Sequence, residues 1–210
     1  MENNKQNTSE ENTPIYLRNR PFPMEIFDHP SLISLTAKYY KPKLFVELGT
    51  GTGECTKKYI DDCGMVCGVD MNRKVIKEVE ERKNFLFFQM TTDDFINNEL
   101  NEITKKYGNI EMCFIDADHA FESVRKDFIG IYSKLCEGGI IFLHDTFPCN
   151  QFCTSPTFCN DAYKISSWIK EEIRKGLNCE IFTFPIQPGL TLVRKCWTSE
   201  EWGGKIDKGN

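Results

Sequence analysis

No apolar run in these 210 residues reaches the ~18 that a membrane-spanning helix requires, which argues against a helical membrane protein. The first residues, MENNKQNTSEENTP, lack the basic-then-apolar order of a secretory leader. A soluble, intracellular, cytoplasmic protein is therefore expected. Positive charge is also in short supply: 26 Lys and Arg stand against 31 Asp and Glu, for a net charge of -5 and a pI near 5.4. That balance supplies no basic field for general attraction to nucleic acid or to a membrane surface, and points to a small-molecule partner. Cysteine is plentiful, at ten residues, but Cys149, Cys153 and Cys159 are spaced by three and five residues rather than as a paired C-x-x-C. Free thiols fit this better than structural zinc or a disulfide scaffold, which belongs to short secreted chains.

Hydrophobic residues make up 40% and aromatics 12%, and a chain of this length can bury roughly 70% of its unfolded surface in one core. There is no internal repeat. The reading is a disordered tail at 1–13, a single domain at 14–197 with an N-terminal lid and helix, and a peripheral tail at 198–210 carrying Trp202, with Trp197 as an anchor beside it.

What recurs is a short apolar run followed by a stretch of helical length. LFVEL (44–48), MVCGVD (65–70), FLFFQ (85–89), IEMCFID (110–116) and GIIFLH (139–144) read as five parallel strands, because continuous apolar runs suit strands covered on both faces. CEIFTFP (179–185) and LTLVRKC (190–196), joined across Gln187-Pro188-Gly189, read as a closing antiparallel hairpin. The expected fold class is α/β: a Rossmann-like doubly wound sheet of seven strands, mostly parallel, with a C-terminal antiparallel hairpin. Helical stripes are expected at Leu32, Leu35 and Tyr39, at Phe121, Val124, Phe128, Ile131 and Leu135, and at Ala162, Ile165, Ile169 and Ile173.

Ligands of open parallel sheets bind beyond the carboxyl ends of the strands, and here all five ends are polar or glycine-rich. In FVELGTGTGECTKKYI the glycines fall at 49, 51 and 53, between strand and helix, where a bare backbone turns sharply and approaches a ligand closely. A dinucleotide fold wants G-x-G-x-x-G, but Glu54 and Thr56 stand where the third glycine would be, which weakens an NAD reading. Asp70 ends the next strand and is placed to accept hydrogen bonds from a ribose diol.

Glu47-x-Gly49-x-Gly51-x-Gly53 together with Asp70 resembles the cofactor motif of class I S-adenosylmethionine-dependent methyltransferases, over nearly the whole chain. The resemblance implies that Gly49, Gly51 and Gly53 wrap the methionine part of S-adenosylmethionine with Glu47 below it, that Asp70 holds the ribose, that Thr91 and Thr92 border the adenine, and that Thr50 and Asp116 also belong to the cofactor site. An N-cap ahead of DDFINNEL explains the two threonines equally well. FIDADHAFESV followed by EGGIIFLHDTFP is similar to the metal-dependent small-molecule O-methyltransferases, the catechol, caffeoyl-coenzyme A and macrocin-type enzymes. Carried over by position, the metal ligands are Asp116, His144 and Asp145, Asp118 lies nearer the cofactor, and His119 takes the place of a basic catalytic residue. His144 stands where those relatives usually present a carboxylate, so Mg, Mn, Fe and Zn all remain open.

The chemistry gives such residues a purpose. A neutral hydroxyl attacks the sulfonium carbon poorly and must be deprotonated by a base or acidified by a metal. The implied function is methyl transfer from S-adenosylmethionine to a hydroxyl of a small molecule or sugar with divalent-metal help, with His119, His144 and Asp116 as catalytic residues. The alternatives are a metal-independent O- or N-methyltransferase using His119 or His144 as base, and a non-catalytic cofactor-binding module. A structural role is open as well, with Asp116 capping the next helix and His144 packing at the sheet edge. The segments YLRNRPFPMEIF and TFPCNQFCTSPTFCNDAYKI are expected to close over the acceptor with Arg18, Arg20, Phe22, Phe147, Phe152 and Asp161, each with an ordinary surface role equally open. Neither the acceptor nor the oligomeric state is readable.

Overall fold

Leu44, Val46 and Leu48 face one apolar cluster while Phe45 faces another, so the first strand is buried from both sides along its whole length. This is the physical content of an unbroken apolar run: a strand with no wet face. A computed structural model of the protein describes residues 28–197. The tails expected at 1–13 and 198–210, the lid segment with Arg18, Arg20 and Phe22, and Trp202 lie outside the described residues.

The elements in chain order are α1 (His29–Tyr40), β1 (Leu44–Leu48), α2 (Thr56–Tyr59), β2 (Met65–Asp70), α3 (Lys77–Glu80), β3 (Phe85–Gln89), α4 (Thr92–Asp94), α5 (Leu100–Tyr107), β4 (Ile110–Ile115), α6 (Phe121–Lys134), β5 (Leu135–His144), α7 (Lys164–Arg174), β6 (Cys179–Phe184) and β7 (Leu190–Lys195). The seven strands form one sheet in the order β3-β2-β1-β4-β5-β7-β6. The first five run parallel, and β7 enters antiparallel between β5 and β6. The chain steps outward from β1 through β2 to β3 and then returns to place β4 on the other side of β1. That reversal opens a crevice at the carboxyl ends of β1 and β4. One apolar cluster unites the sheet with α5, α6 and α7, the other with α1 and α2.

Two sequence expectations need correcting. On α1 the buried residues are Ile33 and Ala37, while Leu35 is 53% exposed and Tyr39 80% exposed. The helix carries two competing i, i+4 stripes, and the smaller Ala37 lets it approach the sheet closely. Leu135 is the first residue of β5 rather than the last of the α6 stripe: it is extended (φ -73°, ψ 133°) and pairs with Ile110. Between that pair and Met112–Ile140 the register shifts, and Gly138, at φ 76°, sits in the irregular stretch. Burial at Leu135 is satisfied either way, so periodicity could not distinguish the two.

Candidate active site

The turn after β1 is shaped by glycines at positive φ: Gly49 at 87°, Gly51 at 56° and Gly53 at 81°. Two of them serve different needs. A Cβ on Gly49 would lie 2.1 Å from the carbonyl oxygen of Asp116, so the β1 turn can meet the end of β4 only as bare backbone. Gly53 instead packs toward Val75 and Val79 and is not on the wall of the cavity. The Gly49 and Thr50 amides donate to Val69 O at 2.8 and 3.2 Å. Asp70 locks the turn from the second strand, accepting from Gly51 N at 2.9 Å and from Asn72 N at 2.8 Å.

Beyond these strand ends lies a cavity of about 670 Å³. Its wall includes Glu47, Gly49, Thr50, Gly51, Asp70, Thr91, Thr92, Asp116 and Asp118, so the structure brings the expected cofactor residues together except Gly53. Among the described residues the wall also carries Glu54, Asp93 and Asp127 but no lysine, arginine or histidine. A phosphate-bearing nucleotide would find acids on every side there, whereas a cationic sulfonium is favoured. Glu47 is buried, receives a hydrogen bond from the Thr56 hydroxyl, and is pushed by burial up to about 8. Thr91 does cap α4, its hydroxyl oxygen accepting from Asp94 N at 3.0 Å, while still facing the cavity.

Asp116 belongs both to this wall and to a second cluster beside it. His144 Nδ1 lies 2.9 Å from Asp116 Oδ1 and 3.5 Å from Asp145 Oδ1, and donor atoms of the three residues all fall within 4.8 Å of one another. Asp145 is held at φ 58°, a left-handed backbone that an aspartate tolerates at some cost. His119 bridges the carboxylates from the other side, with Nδ1 at 3.0 Å from Asp145 Oδ2 and Nε2 at 3.6 Å from Asp116 Oδ1; its Nδ1 also meets Phe158 O. The hydrogen bond with Asp116 outweighs burial and raises His119 to about 9. For His144, burial alone would lower the pKa, but hydrogen bonds to Asp116 and Asp145 push it up to about 10. Asp116 is correspondingly held well below the usual carboxylate range despite its burial. At neutral pH two imidazoliums thus face two carboxylates, and His119 does not behave as the free base its ordinary pKa suggests.

His29 was not legible as a site residue. Its Nδ1 lies 3.2 Å from His144 Nε2, with ring centroids 4.1 Å apart, so all three histidines of the chain gather here. Asp28, whose side chain accepts from Ser31 N at 2.7 Å, fixes where α1 begins and so delivers His29. Burial and the neighbouring His144 charge lower His29 to about 4, leaving it neutral. The contact spans 115 positions, which no local pattern reports.

Asp116 does not cap α6. Asp118 Oδ1 accepts from Ala120 N at 3.2 Å and Oδ2 from the Ser123 hydroxyl at 2.6 Å, while Asp161 Oδ1 accepts from Phe121 N at 2.7 Å. Asp161 is therefore engaged by the start of α6. Phe147 and Phe152 are exposed, and Phe152 packs on Phe158. None of the ten cysteines forms a disulfide. Cys149 and Cys153 approach to 3.3 Å, and the Cys159 thiol donates to Asp145 Oδ1 at 3.3 Å.

A doubly wound sheet whose crevice combines a bare glycine turn, an acid on the second strand and, among the described residues, a wall without cations is chemically suited to an uncharged or cationic nucleoside. Residues 46–146 match the family model of a methyltransferase domain. The chain thus carries a methyltransferase domain over that stretch, and its fold is shared with S-adenosylmethionine-bound methyltransferases. No curated protein matches its sequence. Among solved structures, the O-methyltransferase TomG from Streptomyces achromogenes in complex with SAM aligns with a TM-score of 0.63 at 14% identity, over 80% of this chain and 79% of that one. The SAH-bound methyltransferase PaMTH1 of Podospora anserina aligns with a TM-score of 0.60 at 15% identity, over 85% and 83%. MycE of the mycinamycin biosynthetic pathway, in complex with Mg, SAH and mycinamycin VI, aligns at 0.60 and 16% identity over 88% of this chain and 54% of its own, so the chain spans about half the length of MycE. At these identities the likeness is one of fold. No helix among the described residues is long and apolar enough to cross a membrane.

Proposed function

We propose that the protein methylates a hydroxyl of a small molecule or sugar, with a divalent cation held by Asp116, His144 and Asp145. The observation that carries this reading is the convergence of those three donors at the margin of the cofactor cavity, with Asp116 common to both. Their spacings of 2.9 and 3.5 Å suit neighbouring ligands on a cation at ~2.1 Å, which stand about 3.0 to 3.4 Å apart. Charge fits as well: a divalent ion replaces the two protons that now balance Asp116 and Asp145. One imidazole and two carboxylates suit Mn, Fe or Zn better than a purely oxygen-ligated Mg. The MycE complex with Mg, SAH and mycinamycin VI supports the substrate class by analogy of fold.

When bound, such a cation lowers the pKa of an acceptor hydroxyl and orients it. The chain's own residues do the rest. Asp70 and the glycine turn hold the cofactor, and Glu47, neutral below about pH 8, underlies it. His29 holds Nε2 of His144, which keeps Nδ1 turned to Asp116 and Asp145. His119 donates Nδ1–H to Phe158 O, so the tautomer that takes up a proton does so at Nε2. With Asp116 and Asp145 committed elsewhere, His119 falls back toward its ordinary range and receives the acceptor's proton there.

Metal-independent methylation by His119 or His144 is disfavoured, because both hold protons at neutral pH in this arrangement. Ten cysteines without a disulfide suit a reducing, cytoplasmic setting. The test is calorimetric binding of S-adenosylhomocysteine and of Mn, with turnover over a panel of hydroxylated acceptors with and without a chelator. Chelation should remove turnover and spare cofactor binding, and Mn affinity should rise about tenfold per pH unit between pH 7 and 9 as His144 gives up its proton. Turnover that survives chelation sinks the metal role; cofactor binding with no turnover on any acceptor points to the non-catalytic module.

A further inference from the structure

Methyl transfer has no use for two cysteines on the segment that leaves β5 after Asp145. The Sγ atoms of Cys149 and Cys153 lie 3.3 Å apart. Asn150 caps the short 3-10 turn Gln151–Thr154, its side-chain oxygen and its carbonyl both accepting from Cys153 N at 3.1 Å, and the turn so formed sets Cys153 against Cys149. A second element reinforces the pair. From the connection between β6 and β7, Gln187 Nε2 donates to Cys149 Sγ at 2.9 Å and reaches Cys153 Sγ at 3.7 Å, while Asn150 Nδ2 donates to Cys149 Sγ at 3.3 Å. Both cysteines are part-exposed. Elsewhere burial pushes the thiols of Cys63 and Cys67 up to about 12 and that of Cys179 up to about 11, which keeps them protonated and unreactive near neutrality.

We infer that Cys149 and Cys153 are a redox-reactive pair, a modification site that a peroxide converts reversibly to a disulfide. The sulfurs need to close by only about 1.2 Å to reach the ~2.05 Å of an S–S bond. Cys149 is the attacking sulfur, because hydrogen bonds from two side-chain amides steady the charged form that attacks. Its sulfur takes one oxygen from hydrogen peroxide as the O–O bond breaks, giving a sulfenic acid and one water. Cys153 then attacks that sulfur; the S–S bond forms, the S–O bond breaks and a second water leaves, carrying the thiol proton. Two electrons pass in all from the dithiol to one peroxide. A resolving thiol beside the reactive one is what stops oxidation at a stage that reductants can reverse.

The test exposes the reduced, full-length protein to hydrogen peroxide, alkylates the remaining thiols in denaturant, and reads the tryptic peptide 135–164 by mass spectrometry. That peptide holds Cys136, Cys149, Cys153 and Cys159. The labels at 149 and 153 should vanish together, before the label at the equally part-exposed Cys196, and return after treatment with dithiothreitol. Cys153→Ser should leave a sulfenic acid on Cys149 that dimedone captures, whereas Cys149→Ser should leave Cys153 fully labelled after the same exposure. Gln187→Leu should slow the oxidation roughly two- to tenfold, the worth of one hydrogen bond; an unchanged rate overturns the part given to that amide. Labels retained at both positions, loss at a different pair, Cys149 passing to a sulfinic acid with Cys153 still labelled, or the reverse order of reactivity in the two serine variants overturns the inference. The wild-type labelling pattern decides even if a variant fails to fold.

Discussion

Gly49→Ala, read beside Gly51→Ala, tests whether the glycine turn is shaped by close backbone approach or only by backbone conformation. Both positions lie at positive φ, so each alanine carries a left-handed penalty of ~1–2 kcal/mol. They differ in surroundings. The Cβ added at Gly51 meets nothing within 4 Å, whereas at Gly49 it would sit 2.1 Å from Asp116 O, 2.5 Å from Asp116 C and 2.7 Å from Ala117 Cα. Backbone cannot rotate away as a side chain does. The end of β4 must retreat by about an ångström or more to restore ordinary contact, although Asp116 N is tied to Leu48 O at 2.8 Å. Overpacking of this sort adds ~1–3 kcal/mol. Gly49→Ala should therefore lose ~2–5 kcal/mol in urea unfolding, against ~1–2 for Gly51→Ala, at an unchanged m-value. Because the displaced carbonyl belongs to Asp116, the first variant should also lose Mn affinity. Equal losses in the two variants would refute the claim that β1 and β4 meet through bare backbone.

Two further predictions use the division of labour in the site. Asp70→Ala should weaken S-adenosylhomocysteine roughly 10- to 100-fold by removing the acceptor that anchors Gly51, while Asp145→Asn, which tolerates the same left-handed backbone, should spare cofactor binding and abolish Mn binding; equal cofactor losses would contradict the assignment. Glu47 is raised in the folded state to about 8, above its ordinary value near 4.5. The folded protein therefore binds the extra proton, and that contribution to stability is complete below pH 4.5 and fades as pH climbs toward 8. Wild-type unfolding free energy should fall by about 1 kcal/mol per pH unit across this window relative to Glu47→Gln, measured by urea titration; parallel pH profiles would show that Glu47 ionises freely.

The strands were legible because their burial is local information. Leu44–Leu48 is apolar at every position, and the sheet covers every position. The glycine turn and Asp70 were equally readable, since a bare turn after one strand and an acid at the end of the next are brought together by parallel pairing alone. Faces were harder. On α1 the sequence offers Leu32, Leu35 and Tyr39 as one stripe and Ile33 with Ala37 as another, and only docking against the sheet chooses the second. Leu135 is apolar in either role, so periodicity ran the α6 stripe one residue into β5.

Chain order and side-chain spacing by themselves determined the doubly wound sheet and the place of its crevice, because each follows from where a strand ends, whereas the grouping of Asp116, His144 and Asp145 as donors was implied by the resemblance to metal-dependent O-methyltransferases. Only the tertiary structure decided that His29 backs His144 from 115 residues away and that His119 carries a proton between two carboxylates. These depend on distances and fields between elements brought together by packing, and a one-dimensional pattern contains neither.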